Sequence, residues 1–260
     1  MIYEICTETD PGLARDNNED AVSFDPATRL CILADGMGGY NAGEVASSMA
    51  TKFIKAELGR WLSEAAHSAS DAEVRRALDI CVDNANRAIF NAANSNPHCA
   101  GMGTTLVLGV FRETCLLMGH VGDSRAYRLR GTQLSRITHD HSLLQEQIDS
   151  GLITPEQAAV SANKNLVTRA LGVEIDVLLE THLHDVLPGD TYLLCSDGLS
   201  DMLDDERIAQ ALIDGDGLSH VAMTLIDAAN EAGGRDNISV VLARVRGSTN
   251  AARTWWPFWR

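Results

Sequence analysis

Residues 30–39 have the sequence LCILADGMGG, in which five apolar residues lead to Asp35 and glycines follow it. A short run that is apolar throughout is typical of a strand covered on both faces. The glycines after Asp35 allow the backbone to approach a ligand closely, because they carry no side chains. We therefore predict a buried strand, Leu30–Ala34, that ends in a carboxylate and an accessible backbone.

Three more aspartates lie at the ends of apolar runs. Asp123 and Asp197 each follow such a run by one residue, and Asp236 precedes another by one residue. In antiparallel sheets the end of one strand and the start of its neighbour lie at the same edge. We therefore expect these carboxylates to gather with Asp35 at one edge. The predicted strands are Leu30–Ala34, Thr105–Phe111, Cys115–Val121, Thr191–Cys195 and Ile238–Val245, with a hairpin of Ala126–Arg130 and Gln133–Ile137.

Helical periodicity appears in two groups that are separate from the strands. Because strands come in runs and helices in pairs, the order indicates an α+β protein rather than alternating βαβ units. Two stacked antiparallel sheets with a helical layer on each side would cover both strand faces, which gives a four-layer α-β-β-α sandwich. The predicted helices are Glu44–Leu62, a long helix with Asp71 as N-cap, Asp205–Ile213 and Leu218–Ala232.

The composition excludes several classes of protein. The 260 residues include 36 acidic and 21 basic side chains, for a formal net charge of −15, which disfavours a protein that binds nucleic acid by neutralising phosphates. No apolar stretch approaches the roughly 20 residues that cross a bilayer, and the N-terminus lacks the basic and apolar regions of a signal peptide. None of the six cysteines forms a C-x-x-C pair. We expect a cytoplasmic protein without a transmembrane segment.

The chain is predicted to form one domain over residues 1–246. A flap over about 139–172 interrupts its strand pattern, with a short helix at Leu143–Ser150 and a second helix start at Thr154-Pro155. Residues 247–260 form a tail that contains three of the four tryptophans. Docking on the protein body or on a partner is the favoured role for this aromatic cluster, with disorder and membrane contact as alternatives.

A cluster of carboxylates raises its own pKa values unless a cation compensates the charge. Mg²⁺ and Mn²⁺ suit such a site because they bind through oxygen atoms. The N-terminal segment adds Glu19 and Asp20, preceded by Arg15, whose planar guanidinium can bind a phosphate. The ordinary alternative is that each aspartate forms a turn beside a glycine and that the N-terminal acids form surface salt bridges.

Together these segments resemble the metal-dependent protein serine/threonine phosphatases of the PPM (type-2C) family, in its compact bacterial form. The resemblance covers residues 9 to about 245, and the ordered set is far more specific than any single segment. The matching segments are Thr9-Asp10 through Asn18-Glu19-Asp20, Ala34–Gly39, Gly101–Thr105, Val121–Arg125, Leu171-Gly172, Cys195–Leu199 and Gly234–Asn237.

The resemblance implies a binuclear Mn²⁺ or Mg²⁺ centre within the same sandwich fold. Matched by position, Asp35 would bridge both ions and the carbonyl of Gly36 would bind one of them. Asp197 and Asp236 would hold the other ion. Arg15 matches the arginine that binds the phosphate of the substrate.

The resemblance also implies supporting ligands. Glu19 and Asp20 would act on the ions directly or through water. Asp123 and Asp197, together with Asp201, match a weaker third metal site that occurs in bacterial relatives.

The implied activity is hydrolysis of phosphoserine and phosphothreonine in proteins by a metal-activated hydroxide, which reverses a cytosolic Ser/Thr kinase. The implied partners are phosphorylated proteins, among them a cognate kinase or its substrate, and we expect a monomer. Met37 stands where many eukaryotic members carry a histidine proposed as general acid, so water is the expected proton donor. The alternative is a catalytically silent binding or regulatory module, which the complete set of acids disfavours.

The histidines are assigned no role in this site. His139-Asp140-His141 contains the HD pair of another phosphohydrolase family, but that family needs an all-helical frame that this strand-rich chain does not provide. We expect these residues to open the flap. His120 and His182-x-His184 are expected to be hydrogen-bonded or to lie on a strand surface.

Overall fold

The computed structural model describes residues 1–39, 42–65, 68–159, 161 and 166–247. Within them two sheets stack face to face, and helices cover the outer face of each sheet. The predicted α-β-β-α sandwich is therefore confirmed. Beyond Gly247, the predicted Trp-rich tail lies outside the described residues, as do residues 160 and 162–165 of the predicted flap.

All strand pairings in the two sheets are antiparallel. The strands are β1 (Ile2–Asp10), β2 (Asp20–Asp25), β3 (Leu30–Met37), β4 (Gly103–Thr104), β5 (Leu106–Phe111), β6 (Cys115–Val121), β7 (Arg125–Arg130), β8 (Gln133–Arg136), β9 (Glu180–Asp185), β10 (Thr191–Cys195) and β11 (Ile238–Arg246). The first sheet has the order β1-β11-β10-β7-β8, and the second has the order β2-β3-β5-β6-β9, with β4 paired to β3.

Strand β3 shows why its sequence is apolar throughout. Leu30 and Ile32 point towards the helices that cover the second sheet, and Cys31 and Leu33 point towards the first sheet. Since successive side chains of a strand point to opposite faces, a strand with both faces buried has no position for a polar residue. The prediction from residues 30–34 is confirmed for this reason.

The helices include two long ones on the second sheet and three on the first. They are α1 (Ala42–Ala65), α2 (Asp71–Ser95), α3 (Leu143–Asp149), α4 (Pro155–Ala159), α5 (Asp197–Ser200), α6 (Asp205–Asp214) and α7 (Leu218–Glu231). The N-cap predicted for α2 is wrong by one residue. Ser70 is the cap, because its hydroxyl accepts from the backbone N–H of Glu73 while the Glu73 carboxylate accepts from the Ser70 N–H.

The chain between β8 and β9 carries α3 and α4. Its two ends meet in a short antiparallel pairing, in which Ser142 bridges Val167 and the N–H of Thr168 donates to the carbonyl of His141. This pairing closes the base of the predicted flap, and the N–H of His141, which donates to the carbonyl of Gly122, attaches that base to the sandwich. Among the described helices, none combines the length and the apolar character needed to cross a membrane.

Candidate active site

Carboxylates from four strand ends gather at one edge of the sandwich. Asp20 begins β2 and pairs directly with Asp35 of β3. Asp197 follows β10, and Asp236 precedes β11, its neighbour in the first sheet. Burial raises the pKa of Asp35 well above its usual value, and the charges of Asp20, Asp197, Asp123 and Asp236 raise it further. The predicted gathering of strand-end aspartates therefore occurs, and their charges act on one another.

Asp20 is the most deeply buried of these acids, with 9% of its surface exposed. Its Oδ2 accepts a hydrogen bond of 2.7 Å from the hydroxyl of Ser196, whereas its buried Oδ1 has no partner among the described residues. Burial, and less strongly the charge of Asp236, raises the pKa of Asp20 to about 7. A buried carboxylate oxygen without a donor needs a proton or a cation, so Oδ1 marks a position where a cation would be stabilised.

Asp123, Asp197 and Asp201 form the second part of the cluster. Burial raises the pKa of Asp197 well above its usual value, and the charges of Asp123 and Asp201 add to the shift. Burial also raises the pKa of Asp123 to about 6, with Asp140 as the next cause. The structure therefore brings together the three residues that the sequence grouped as a further site.

The backbone at Gly36 lies against the start of α1. A Cβ atom on Gly36 would lie 2.2 Å from the carbonyl oxygen of Gly43 and 2.6 Å from that of Glu19, and one on Gly43 would lie 2.5 Å from Oε2 of Glu19. Any side chain at Gly36 or Gly43 would displace Glu19 or the turn after Asp35. Sequence reasoning did not identify Gly43, because it follows the glycine-rich segment and begins a helix.

Arg15 contacts the acidic cluster directly. Its Nη2 lies 2.6 Å from Oδ2 of Asp236, and its side chain is half exposed. This hydrogen bond is the main reason that the pKa of Arg15 is raised. Arg15 lies in the loop of residues 11–19 between β1 and β2, which we call the Arg15 loop. The N–H groups of Leu13 and Ala14 both donate to the carbonyl of Gly234, so this loop is attached to the segment that carries Asp236.

Asn237 is a second attachment of the Arg15 loop that sequence reasoning left without a role. Its buried side chain donates to the carbonyls of Pro11 (2.9 Å) and Asn17 (2.8 Å) and accepts from the N–H of Glu19 (2.8 Å). One amide thus satisfies three backbone groups of the loop. It sets the loop that carries Arg15 and Glu19 relative to Asp236, its neighbour in the chain.

Thr105 and Ser124 hold the backbone of Asp35 through hydrogen bonds. The Asp35 N–H donates to Oγ1 of Thr105 (3.0 Å), and the Thr105 N–H donates to the Asp35 carbonyl (2.8 Å). The Thr105 hydroxyl is also hydrogen-bonded to that of Ser124 at 2.7 Å. This pair links the backbone of Asp35 to the residue after Asp123, and both hydroxyls belong to segments that the sequence marked without assigning a function.

A group of side chains outside the acidic cluster has atoms spaced closely enough to suggest a metal site, namely His120, His141 and Glu180, within 4.8 Å of one another. However, Nδ1 of His141 accepts from the Gly122 N–H, so its Nε2 must carry the proton that faces Glu180. The two imidazole rings are also stacked, at 4.7 Å and 12°, so their lone pairs cannot point at one ion. This group instead ties the flap base to the turn before Asp123, and His120 is hydrogen-bonded to the His139 carbonyl as expected.

Comparisons with known proteins agree with this geometry. A family model described as protein phosphatase 2C matches residues 14–224. The chain is 39% identical over 249 residues to the serine/threonine protein phosphatase PstP of Mycobacterium tuberculosis. This alignment covers 94% of this chain and 45% of PstP. The chain is also 37% identical over 237 residues to the serine/threonine phosphatase stp of Listeria innocua, covering 90% of this chain and 92% of stp. The chain thus spans about half the length of PstP.

A solved structure with the same fold contains metal. The catalytic domain of PstP in complex with two manganese ions superposes with a TM-score of 0.82 at 38% identity, over 94% of this chain and 99% of that one.

Proposed function

Because this chain belongs to the protein phosphatase 2C family, we propose that it hydrolyses phosphoserine and phosphothreonine in proteins with two bound divalent metal ions. The observation that carries the proposal is the group of buried carboxylates that raise one another's pKa beside Arg15. A self-repelling cluster of this kind is destabilising without cations, so its presence at one edge of the fold favours a metal function. The two manganese ions in the PstP structure support the same assignment.

The residues present fit Mn²⁺ or Mg²⁺. The available ligand atoms are carboxylate and carbonyl oxygens, which these hard cations prefer. Among the described residues, no group donates a hydrogen bond to the buried Oδ1 of Asp20, which is therefore open to a cation. We assign Asp35 to both ions and the carbonyl of Gly36 to one of them. Asp197 and Asp236 would hold the other ion.

The remaining acids have supporting assignments. Glu19 and Asp20 would stabilise the ion pair directly or through water. Asp123, Asp197 and Asp201 are proposed to form a weaker third site, because the charges of Asp123 and Asp201 raise the pKa of Asp197, and the charge of Asp201 also raises the pKa of Asp123.

A bound pair of such ions lowers the pKa of a water molecule and so supplies hydroxide near neutral pH. Arg15 would bind the phosphate, since its guanidinium offers two parallel donors to two oxygens. In the structure Nη2 of Arg15 donates to Oδ2 of Asp236, and an ion bound to Asp236 would compete with Arg15 for that oxygen. The hydrogen bond that Asn237 donates to Pro11, and those that the Gly234 carbonyl accepts, keep Arg15 near the carboxylates, which would position the phosphate beside them.

The chain's own cysteines and Met37 take no part in this chemistry. Cys195 is fully buried, and burial raises the pKa of its thiol to about 12, so it is not a nucleophile. Met37 has no proton to donate, so we assign protonation of the leaving oxygen to water. Attack by hydroxide would give hydrolysis without a phosphorylated enzyme intermediate.

A phosphothreonine-peptide assay with Mn²⁺ and with EDTA tests the proposal. We expect turnover only with metal, and loss of at least about 100-fold in Asp35→Asn and Asp197→Asn, whereas Asp216→Asn, an exposed acid outside the site, should retain activity. Metal-independent turnover, or turnover that survives both site substitutions, would overturn the metal mechanism. Metal binding without any phosphopeptide turnover would favour the silent regulatory module.

We further propose that the protein acts as a monomer in the cytosol and reverses the action of a cognate Ser/Thr kinase. The six cysteines are all free thiols, which is compatible with a reducing compartment. Size-exclusion chromatography with light scattering and cell fractionation would test the two statements separately.

A further inference from the structure

A cavity of about 410 Å³ opens beside the acidic cluster, between the cluster and the flap. Asp123, Asp197 and Asp201 line it on one side, so it is continuous with the proposed reaction centre. Its volume lies within the range of about 300–1,000 Å³ that is typical of ligand pockets. A peptide whose phosphate lies at the carboxylates therefore has this cavity beside it, because Asp197 belongs to both.

The flap lines the cavity with apolar side chains. Leu144 and Ile148 are four residues apart on α3 and so share one face of that helix. Pro155 and Ala158 of α4 lie beside them in the cavity wall. The structure describes α3 in full, and none of its side chains is fully buried. Its apolar face is therefore turned to an open cavity instead of a packed core.

The charged groups in the wall are already paired with one another. Arg125 places Nη2 2.7 Å from Oδ2 of Asp140, and Arg136 places Nη1 3.2 Å from the same oxygen. Arg136 also donates to Oε1 of Gln145. Asp140 is 6% exposed, so this ion-pair group forms a fixed part of the wall. An incoming acidic side chain would have to break these pairs, and an incoming basic side chain would have to compete with the proposed metal ions for the aspartates opposite.

We propose that this cavity binds an apolar side chain of the phosphoprotein substrate, located a few residues from the phosphorylated serine or threonine. The inference rests on the proposed phosphatase function and adds to it a substrate class: phosphoproteins with a large aliphatic or aromatic residue near the phosphosite. Burial of such a side chain against Leu144 and Ile148 removes apolar surface of both partners from water. A glycine at that position buries no apolar side chain in the cavity and gains nothing from it.

A set of phosphothreonine peptides tests the proposal. Each position from four before to four after the phosphothreonine is occupied in turn by glycine, leucine, phenylalanine, lysine or aspartate, and kcat/KM is measured with saturating Mn²⁺. We expect one position at which leucine or phenylalanine exceeds glycine by about 5- to 20-fold. In the double variant Leu144→Ala/Ile148→Ala this ratio should fall to about 1–2. If the native protein hydrolyses the leucine, phenylalanine and glycine peptides with equal kcat/KM at every position, the proposal is overturned.

Two further variants keep the result interpretable. Ala158→Leu should fill the cavity and lower the leucine-to-glycine ratio without removing any apolar contact on α3. Leu152→Ala alters a 75% exposed leucine of the same flap outside the cavity and should leave the ratio at its native value. An equal fall of the ratio in Leu152→Ala would show a general effect of the flap and contradict the subsite. If no peptide is hydrolysed although metal binds, the proposed function fails rather than the subsite.

Discussion

Replacement of Asp20 by asparagine should stabilise the metal-free protein and weaken its metal binding. The asparagine side chain keeps an oxygen that can accept from the Ser196 hydroxyl. It removes a negative charge from a buried position directly opposite Asp35. The folded state then no longer has to hold two facing carboxylates without a cation.

The magnitude follows from the pKa of Asp20, which burial and the nearby Asp236 raise from 3.8 to about 7. Because the folded pKa lies above the unfolded one, ionised Asp20 favours unfolding. This penalty is absent below about pH 4, grows between about pH 4 and 7 and is complete above about pH 7. Three pKa units correspond to on the order of 4 kcal/mol. We expect Asp20→Asn to gain about 2–4 kcal/mol at pH 8, since the buried amide also has to be desolvated.

Urea unfolding in EDTA at pH 8 and at pH 5 measures this difference, and the gain should shrink to about half or less at pH 5. In calorimetry the pH 8 gain corresponds to a rise in Tm of about 4–8 °C for a protein of this size. Saturating Mn²⁺ should make the native protein the more stable of the two, because a bound metal stabilises the folded state by an amount that grows with the logarithm of its affinity. The exposed Asp216→Asn serves as the control. A metal-free Asp20→Asn protein less stable than the native one at pH 8 would refute the reasoning.

Three other substitutions probe the residues that position the site. Arg15→Lys should lower kcat/KM for phosphopeptides by about 10- to 100-fold, because an ammonium cannot donate two parallel hydrogen bonds; equal kinetics would contradict bidentate phosphate binding. Asn237→Ala should reduce the free energy of unfolding by about 2–4 kcal/mol, because three backbone groups of the Arg15 loop lose their partner; a loss below about 1 kcal/mol in urea unfolding would contradict this role. Ser196→Ala should raise the Kd for Mn²⁺ about 10-fold in calorimetric titration, because Asp20 loses the hydroxyl that orients it; an unchanged Kd would show that burial alone orients Asp20.

The strands that the sequence predicted differ in a physical way from those it missed. β6 and β10 have the predicted limits, because every residue in each of them is buried and apolar runs mark such strands clearly. β1 and β9 escaped prediction, because they are partly exposed edge strands of the two sheets and their sequences contain several polar residues. β2, the other edge of the second sheet, is likewise only partly buried along most of its length.

The sequence by itself determined the layered architecture and the identity of the strand-end carboxylates Asp35, Asp123, Asp197 and Asp236. Hydrophobic periodicity specifies which faces are buried, and an aspartate beside an apolar run is visible without any knowledge of neighbours. Only the tertiary structure decided which groups orient those carboxylates. Ser196 donates to Asp20 across 176 residues of sequence, and Asn237 holds the Arg15 loop across more than 200. A polar side chain has many possible partners in the sequence, and only the folded backbone brings one of them within hydrogen-bonding distance.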